Sequence, residues 1–214
     1  MRDARQRLLD AGEVLIAEQG VAMVSLRQIA EAAGHRNTSA VAYHFGSKRA
    51  LVQAIYADRM RAPDLRRQQL LAELDAAGRG DDLAALVGVF LRPLTETLES
   101  RGPSSWLRFL VNTIYGAQLA PELGADDSTA GIHELSERIG RHLEALPPSV
   151  RALRWDAFVR LVLHTLAAYE AAMAVDRVTA PLDVVVADLA EVLVALLRAP
   201  AASYAATASA VMAR

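Results

Sequence analysis

The sequence predicts an all-α protein with about nine helices: an N-terminal three-helix head containing a helix-turn-helix, then a larger helical body. Three observations carry this expectation. Alanine, the best helix former, supplies 42 of the 214 residues, against 12 glycines and 8 prolines. Apolar residues recur at i, i+3, i+4 and i+7 rather than in alternation, and β-branched runs of strand length are lacking. The helical segments are short before about residue 60 and longer after it. With 53% hydrophobic and 22% charged residues, the chain has a globular composition and the length for one sizeable core or two small ones.

In the head, Leu8, Ala11 and Leu15, with Leu9, Gly12 and Ile16 beside them, form the apolar face of a first helix ending near Gln19-Gly20. Leu26, Ile29, Ala30 and Ala33 mark a two-turn second helix. Ser25, with Gln28 three residues on, is placed for a capping box at its start, and Gly34 stops it. Asn37 or Thr38 is expected to cap a third helix running to Phe45. Gly46-Ser47 ends that helix and caps a fourth, which contains Leu51, Ala54 and Ile55. Two short helices joined by a tight turn make a helix-turn-helix.

In the body, Pro63 is expected to kink or end the fourth helix, and residues 78–81 form a loop. Leu83, Leu86, Val87, Phe90, Leu91, Leu94 and Leu98 mark the fifth helix. Gly102-Pro103 opens the sixth. A loop spans 120–128, and the seventh helix runs from about 129 to 145. Pro147-Pro148 starts a long eighth helix to about Val175, and Pro181 starts a ninth reaching Arg198. The expected units are a head at 1–46, a regulatory and dimerisation body at 47–199 joined through the fourth helix, and a flexible alanine-rich tail at 200–214.

Composition narrows the function. The absence of cysteine rules out a disulfide scaffold, a thiol nucleophile and thiolate-bound metal, and it fits a reducing cytoplasm. His133 and His142 lack a third ligand nearby, so no metal and no cofactor is expected. No uninterrupted apolar stretch reaches the roughly 20 residues of a membrane span. The first ten residues carry three arginines and two acids, unlike a signal peptide. Residues 1–60 hold eight Lys/Arg against six Asp/Glu, whereas the remainder holds fifteen against nineteen. A mildly basic head on an acidic body suits an anionic partner for the head.

The run Tyr43-His44-Phe45-Gly46-Ser47-Lys48 follows Ala32-Ala33-Gly34 and Ser25-Leu26-Arg27-Gln28-Ile29-Ala30, with Leu8-Leu9 and Gly20 upstream and Leu51 behind. In these elements and their spacing the first 55 residues resemble the TetR (tetracycline-repressor) family of bacterial transcription regulators. The chain departs from the family pattern at Ala42, where a tyrosine is usual. The turn holding His35-Arg36-Asn37 is one residue longer than usual. The resemblance implies a homodimer on a double-stranded DNA operator, with an effector site in the body and no enzymatic activity.

The residues support that expectation on their own chemistry. The third helix is expected to enter the major groove, inserted by Val41 and Phe45 on its inner side. Asn37, Thr38 and Ser39 face base edges, and Ala42 is small enough to meet a thymine methyl. Ser25, Tyr43, His44 and Lys48, the only lysine among 22 arginines, are expected to hold phosphates near helix N-termini. Arg27, Gln28 and Arg36 reach for backbone or flanking bases.

In the body, Trp155, Val159, Val162, Leu166 and Tyr169 recur at steps of three and four, as do Leu182, Val186, Leu189, Leu193 and Leu196. These seams are expected to form a four-helix bundle between two subunits, which a palindromic site requires. Trp106, Phe109, Asn112, Thr113 and Tyr115 mix rings with hydrogen-bonding groups as ligand pockets do, and Phe90, Phe158 and His164 are expected to face them. The leading expectation is a cytoplasmic repressor released by a small apolar or amphipathic molecule. The alternatives are a helical enzyme or carrier without DNA affinity, and a regulator with no inducer.

Overall fold

The computed structural model describes residues 3–35, 39–100, 104–116 and 129–200. Nine α-helices occur among them, without a strand: α1 (Ala4–Gln19), α2 (Leu26–Ala32), α3 (Ser39–Phe45), α4 (Lys48–Ala76), α5 (Leu83–Ser100), α6 (Trp106–Val111), α7 (Ala130–Arg141), α8 (Pro148–Ala174) and α9 (Leu182–Arg198). A π turn, Asn112–Gly116, continues α6. The expected openings at Asn37-Thr38 and Gly102-Pro103, the whole of the 120–128 loop and all but the first residue of the 200–214 tail lie outside the described residues.

The head is held by local signals and a small core. Ser25 and Gln28 make the expected capping box, the Ser25 N–H donating to Gln28 Oε1 and the Gln28 N–H to Ser25 Oγ. Gly34, at φ +80°, takes the left-handed turn that ends α2. The His35 N–H reaches the Ala30 carbonyl and the Gly34 N–H that of Glu31, a Schellman closure. Ser47 caps α4 by accepting the Ala50 N–H. Leu8, Leu9, Ile16, Ile29, Val41, Leu51 and Ile55 are wholly buried. The first and fourth helices cross closely at Gly12, where a Cβ would sit 2.9 Å from Ile55 Cδ1.

Of the two outcomes expected at Pro63, a kink or an end, the structure excludes the end. α4 runs unbroken for 29 residues with Pro63 buried inside it. Charged anchors on either side hold it: Arg59 pairs with Asp10 and Glu13 of α1, and Asp64 holds the start of α7. The helix thus belongs to the head at one end and the body at the other.

In the body, α6 lies between α1 and α8, and α9 packs on α5 and α8. The core includes Leu86, Leu91, Phe158, Val162, Leu166 and Leu193. With 27 residues and a mean hydropathy of 1.2, α8 is the one helix among the described residues long and apolar enough to cross a membrane. One third of that apolar stretch is buried within the molecule, so the helix also presents an outward apolar side.

Candidate nucleic-acid interface and effector region

On α3, Val41 is buried and Phe45 half-buried under the Arg5 guanidinium, 5.5 Å from its ring centre. Ala42 is exposed, and Tyr43 stands out at 85% exposure, its ring edge-on to His44 at 5.1 Å. Arg27 projects from α2 with only a loose pairing, 3.8 Å, to Glu31. Arg36, Asn37 and Thr38 lie outside the described residues, and so does the side chain of Ser39.

Two of the expected phosphate contacts have partners within the head. Lys48 turns inward, its Nζ donating to the carbonyls of Val21 (2.7 Å) and Val24 (2.9 Å). An ammonium at a helix N-terminus is disfavoured by the dipole, and here the carbonyls of the α1–α2 turn supply its acceptors. Ser25 is engaged as well, because its hydroxyl donates to Gln28 Oε1 at 2.7 Å. Lys48→Met is therefore expected to lower head stability by about 2 kcal/mol while leaving the salt dependence of DNA binding unchanged. A phosphate clamp would instead reduce the salt slope by about one per subunit, and urea denaturation beside salt titrations separates the two.

Six of the eight residues expected to line one pocket fall into three separate groups. Trp106 stacks on Phe109 at 5.5 Å and lies 6.0 Å from Tyr56; all three are buried. Phe90 and Phe158 meet edge to face at 4.9 Å, with Trp155 stacked on Phe158 at 5.4 Å. Tyr115 and His164 sit 5.6 Å apart, with the Arg160 guanidinium 4.0 Å from the Tyr115 ring centre. Burial pushes the Tyr115 phenol above its ordinary pKa, with nearby Asp156 adding to the shift.

Asn112 and Thr113 are corrected from ligand contacts to structural ones. The Asn112 amide donates at 3.0 Å to both the Ile16 and Ala17 carbonyls, closing the end of α1 from the body. The Thr113 hydroxyl is wholly buried and bonds back to the Phe109 and Leu110 carbonyls of its own helix. Val162, Leu166, Leu189 and Leu193 are corrected in turn. Each is at most 5% exposed in the single chain, so these side chains build the subunit's own core. Trp155, Val159, Tyr169, Leu182, Val186 and Leu196 remain half-exposed.

Sequence reasoning missed a set of buried charges. Glu170 (α8) accepts the Leu107 and Arg108 N–H groups and Arg108 Nε, holding the start of α6. Glu13 (α1) accepts the Ser105 hydroxyl at 2.8 Å and Arg59 Nε at 2.6 Å. Asp64 accepts the N–H groups of Gly131 (2.8 Å) and Ile132 (2.9 Å), with Gln68 Nε2 and Arg67 joining. The signal was a charge inside an apolar stripe: Arg67 continues the steps Tyr56, Met60, Pro63 on the buried side of α4. Arg67 is 1% exposed, its ordinary basicity lowered by burial despite Asp64. Its Nε and the Trp106 indole N–H have no hydrogen-bond partner among the described residues.

A helix-turn-helix head with an outward-facing third helix, joined by one continuous helix to an all-α body, defines the class of DNA-binding regulators. Residues 8–55 match the family described as "Bacterial regulatory proteins, tetR family", so the head is of the type found in that family. The fold agrees with two crystal structures of NalD from Pseudomonas aeruginosa, described as the secondary repressor of the MexAB-OprM multidrug efflux pump. The native NalD structure is 24% identical with TM-score 0.54, covering 89% of this chain and 94% of that one. The other is 23% identical with TM-score 0.54, covering 89% and 93%. No curated protein matches the sequence.

Proposed function

We propose that the protein is a cytoplasmic homodimeric repressor that holds a palindromic operator and releases it when a small apolar or amphipathic molecule binds its body. The observation carrying this reading is the 85%-exposed Tyr43 on the free face of α3, in a head of TetR type. Residues 1–46 read the DNA, with Tyr43, His44 and Arg27 on the backbone and Ala42 in the groove beside Arg36, Asn37, Thr38 and Ser39. Residues 47–199 sense and dimerise. That NalD, of the same fold, is a repressor favours repression over activation.

Dimerisation is assigned to the outward sides of α8 and α9, where Leu153, Val184 and Val192 are 69%, 55% and 45% exposed, beside the half-buried seam residues. Effector binding shifts the population toward a head spacing that misfits the operator. Selection of duplexes from a random DNA pool by the full chain, followed by gel-shift titration, tests the reading. A palindromic consensus should emerge, and Tyr43→Ala should weaken all selected duplexes about tenfold without changing the consensus. Failure to enrich any duplex would leave a helical carrier without DNA affinity in its place.

A further inference from the structure

The α7–α8 pair leaves a groove of about 510 Å³ that the subunit's own core does not fill. Leu143, buried, and Trp155, half-buried, form its floor. Gly140 keeps it open, since nothing lies within 4 Å of where its Cβ would stand. Phe158 covers one face of the Trp155 ring at 5.4 Å, and Phe90 meets the ring edge to face at 6.0 Å. The indole is therefore fixed from behind while part of it stays open to the groove.

The charges at this groove are separated by sign. Glu137 and Glu144 stand exposed on the α7 side, and Arg151 lies on the α8 side. Among the described residues, these three side chains have no ion-pair or hydrogen-bond partner within the chain. Arg141, the other cation there, leans towards Asp81 at 4.0 Å. One side thus offers carboxylates and the other a guanidinium, across an aromatic floor. A single exposed ion pair contributes little, and a ligand with one charge would turn its apolar body on the opposite side. A ligand with both charges beside an aromatic ring matches all three features at once.

We propose that this groove binds an aromatic α-amino acid. Its ring lies on Trp155, its ammonium pairs with Glu137 or Glu144, and its carboxylate takes the fork of the Arg151 guanidinium. The volume of about 510 Å³ falls in the range of small-molecule sites. Trp155 is two positions from Leu153, about 200° round α8, so the site faces away from the subunit contact assigned above. It is distinct from the effector reading and stands or falls on binding alone.

The test is titration of the full chain with L-phenylalanine, its methyl ester and its N-acetyl derivative, by calorimetry and tryptophan fluorescence. Phenylalanine, which alone carries both charges, should bind at least about tenfold tighter than either derivative. Arg151→Gln should weaken phenylalanine about tenfold and leave the ester unchanged. The double change Glu137→Gln with Glu144→Gln should weaken phenylalanine by a similar factor and leave the N-acetyl derivative unchanged. All three side chains lie at the surface, so these variants keep the fold. Trp155→Phe should abolish the fluorescence change while calorimetry still records binding. Equal affinity for phenylalanine and either derivative overturns the proposal. So does no phenylalanine binding up to about 5 mM, full affinity in both charge variants, or a fluorescence change that survives Trp155→Phe.

Discussion

Asp64→Ala is expected to destabilise the protein by about 3–5 kcal/mol, among the largest effects of any single substitution in the body. The change removes the acceptor for the Gly131 and Ile132 N–H groups, which alone is worth about 1 kcal/mol as a helix cap. It also strands the guanidinium of Arg67, which lies 1% exposed, without its counter-charge. The start of α7 fits tightly there, since a Cβ at Gly131 would sit 3.0 Å from the Asp64 carbonyl oxygen, so solvent has little room to repair the loss. Urea denaturation measures the effect, with Asp64→Asn expected between the two because it keeps one acceptor and loses the charge. A loss below about 1 kcal/mol would show that the ion pair and cap carry little of the fold.

The double change Leu153→Glu with Val192→Glu should convert the protein to monomers that melt near the wild-type temperature. Both side chains are largely exposed in the single chain, so their carboxylates stay solvated after dissociation. In an assembled dimer the same charges would be buried and unpaired. Losing the second head removes the gain from two linked contacts, a factor of about 10²–10⁴ in operator affinity. Leu193→Glu, one residue along α9 from Val192, is expected to unfold the chain instead, because Leu193 is fully buried. Sedimentation velocity with thermal melts distinguishes the outcomes. A dimer that survived the double change would place the subunit contact off the outward side of α8 and α9.

The neighbouring residues Val192 and Leu193 also show how far the sequence could be read. Helical periodicity identified α8 and α9 and their apolar seams. Periodicity reports that a side chain is apolar, however, and not whether its own chain or a second copy covers it. Val162, Leu166, Leu189 and Leu193 were therefore read as subunit contacts although the subunit's own core takes them. The head was legible in finer detail because its signals are local: the Ser25–Gln28 box, the Gly34 closure and the Ser47 cap each lie within a few residues. Lys48 and Asn112 were misread for the opposite reason. Their acceptors, Val21 and Val24 for one and Ile16 and Ala17 for the other, lie 24 to 96 positions away. Nothing in the local pattern encodes a partner at that distance.

The unbroken passage of α4 through Pro63 has a mechanical consequence. A helix of 29 residues is a rod about 43 Å long. Proline removes the backbone hydrogen bond that would return to the Arg59 carbonyl, so the rod is weakest in bending near its middle. Some fifteen residues, about 22 Å, separate Pro63 from Lys48 at the head end. A tilt of about 10° there sweeps the head by nearly 4 Å, more than the 3.4 Å advance per nucleotide along a DNA strand. In the proposed two-fold dimer the axis repeats each rod's tilt on the other subunit, so a small tilt at the centre can change the spacing between the reading helices by up to twice that displacement.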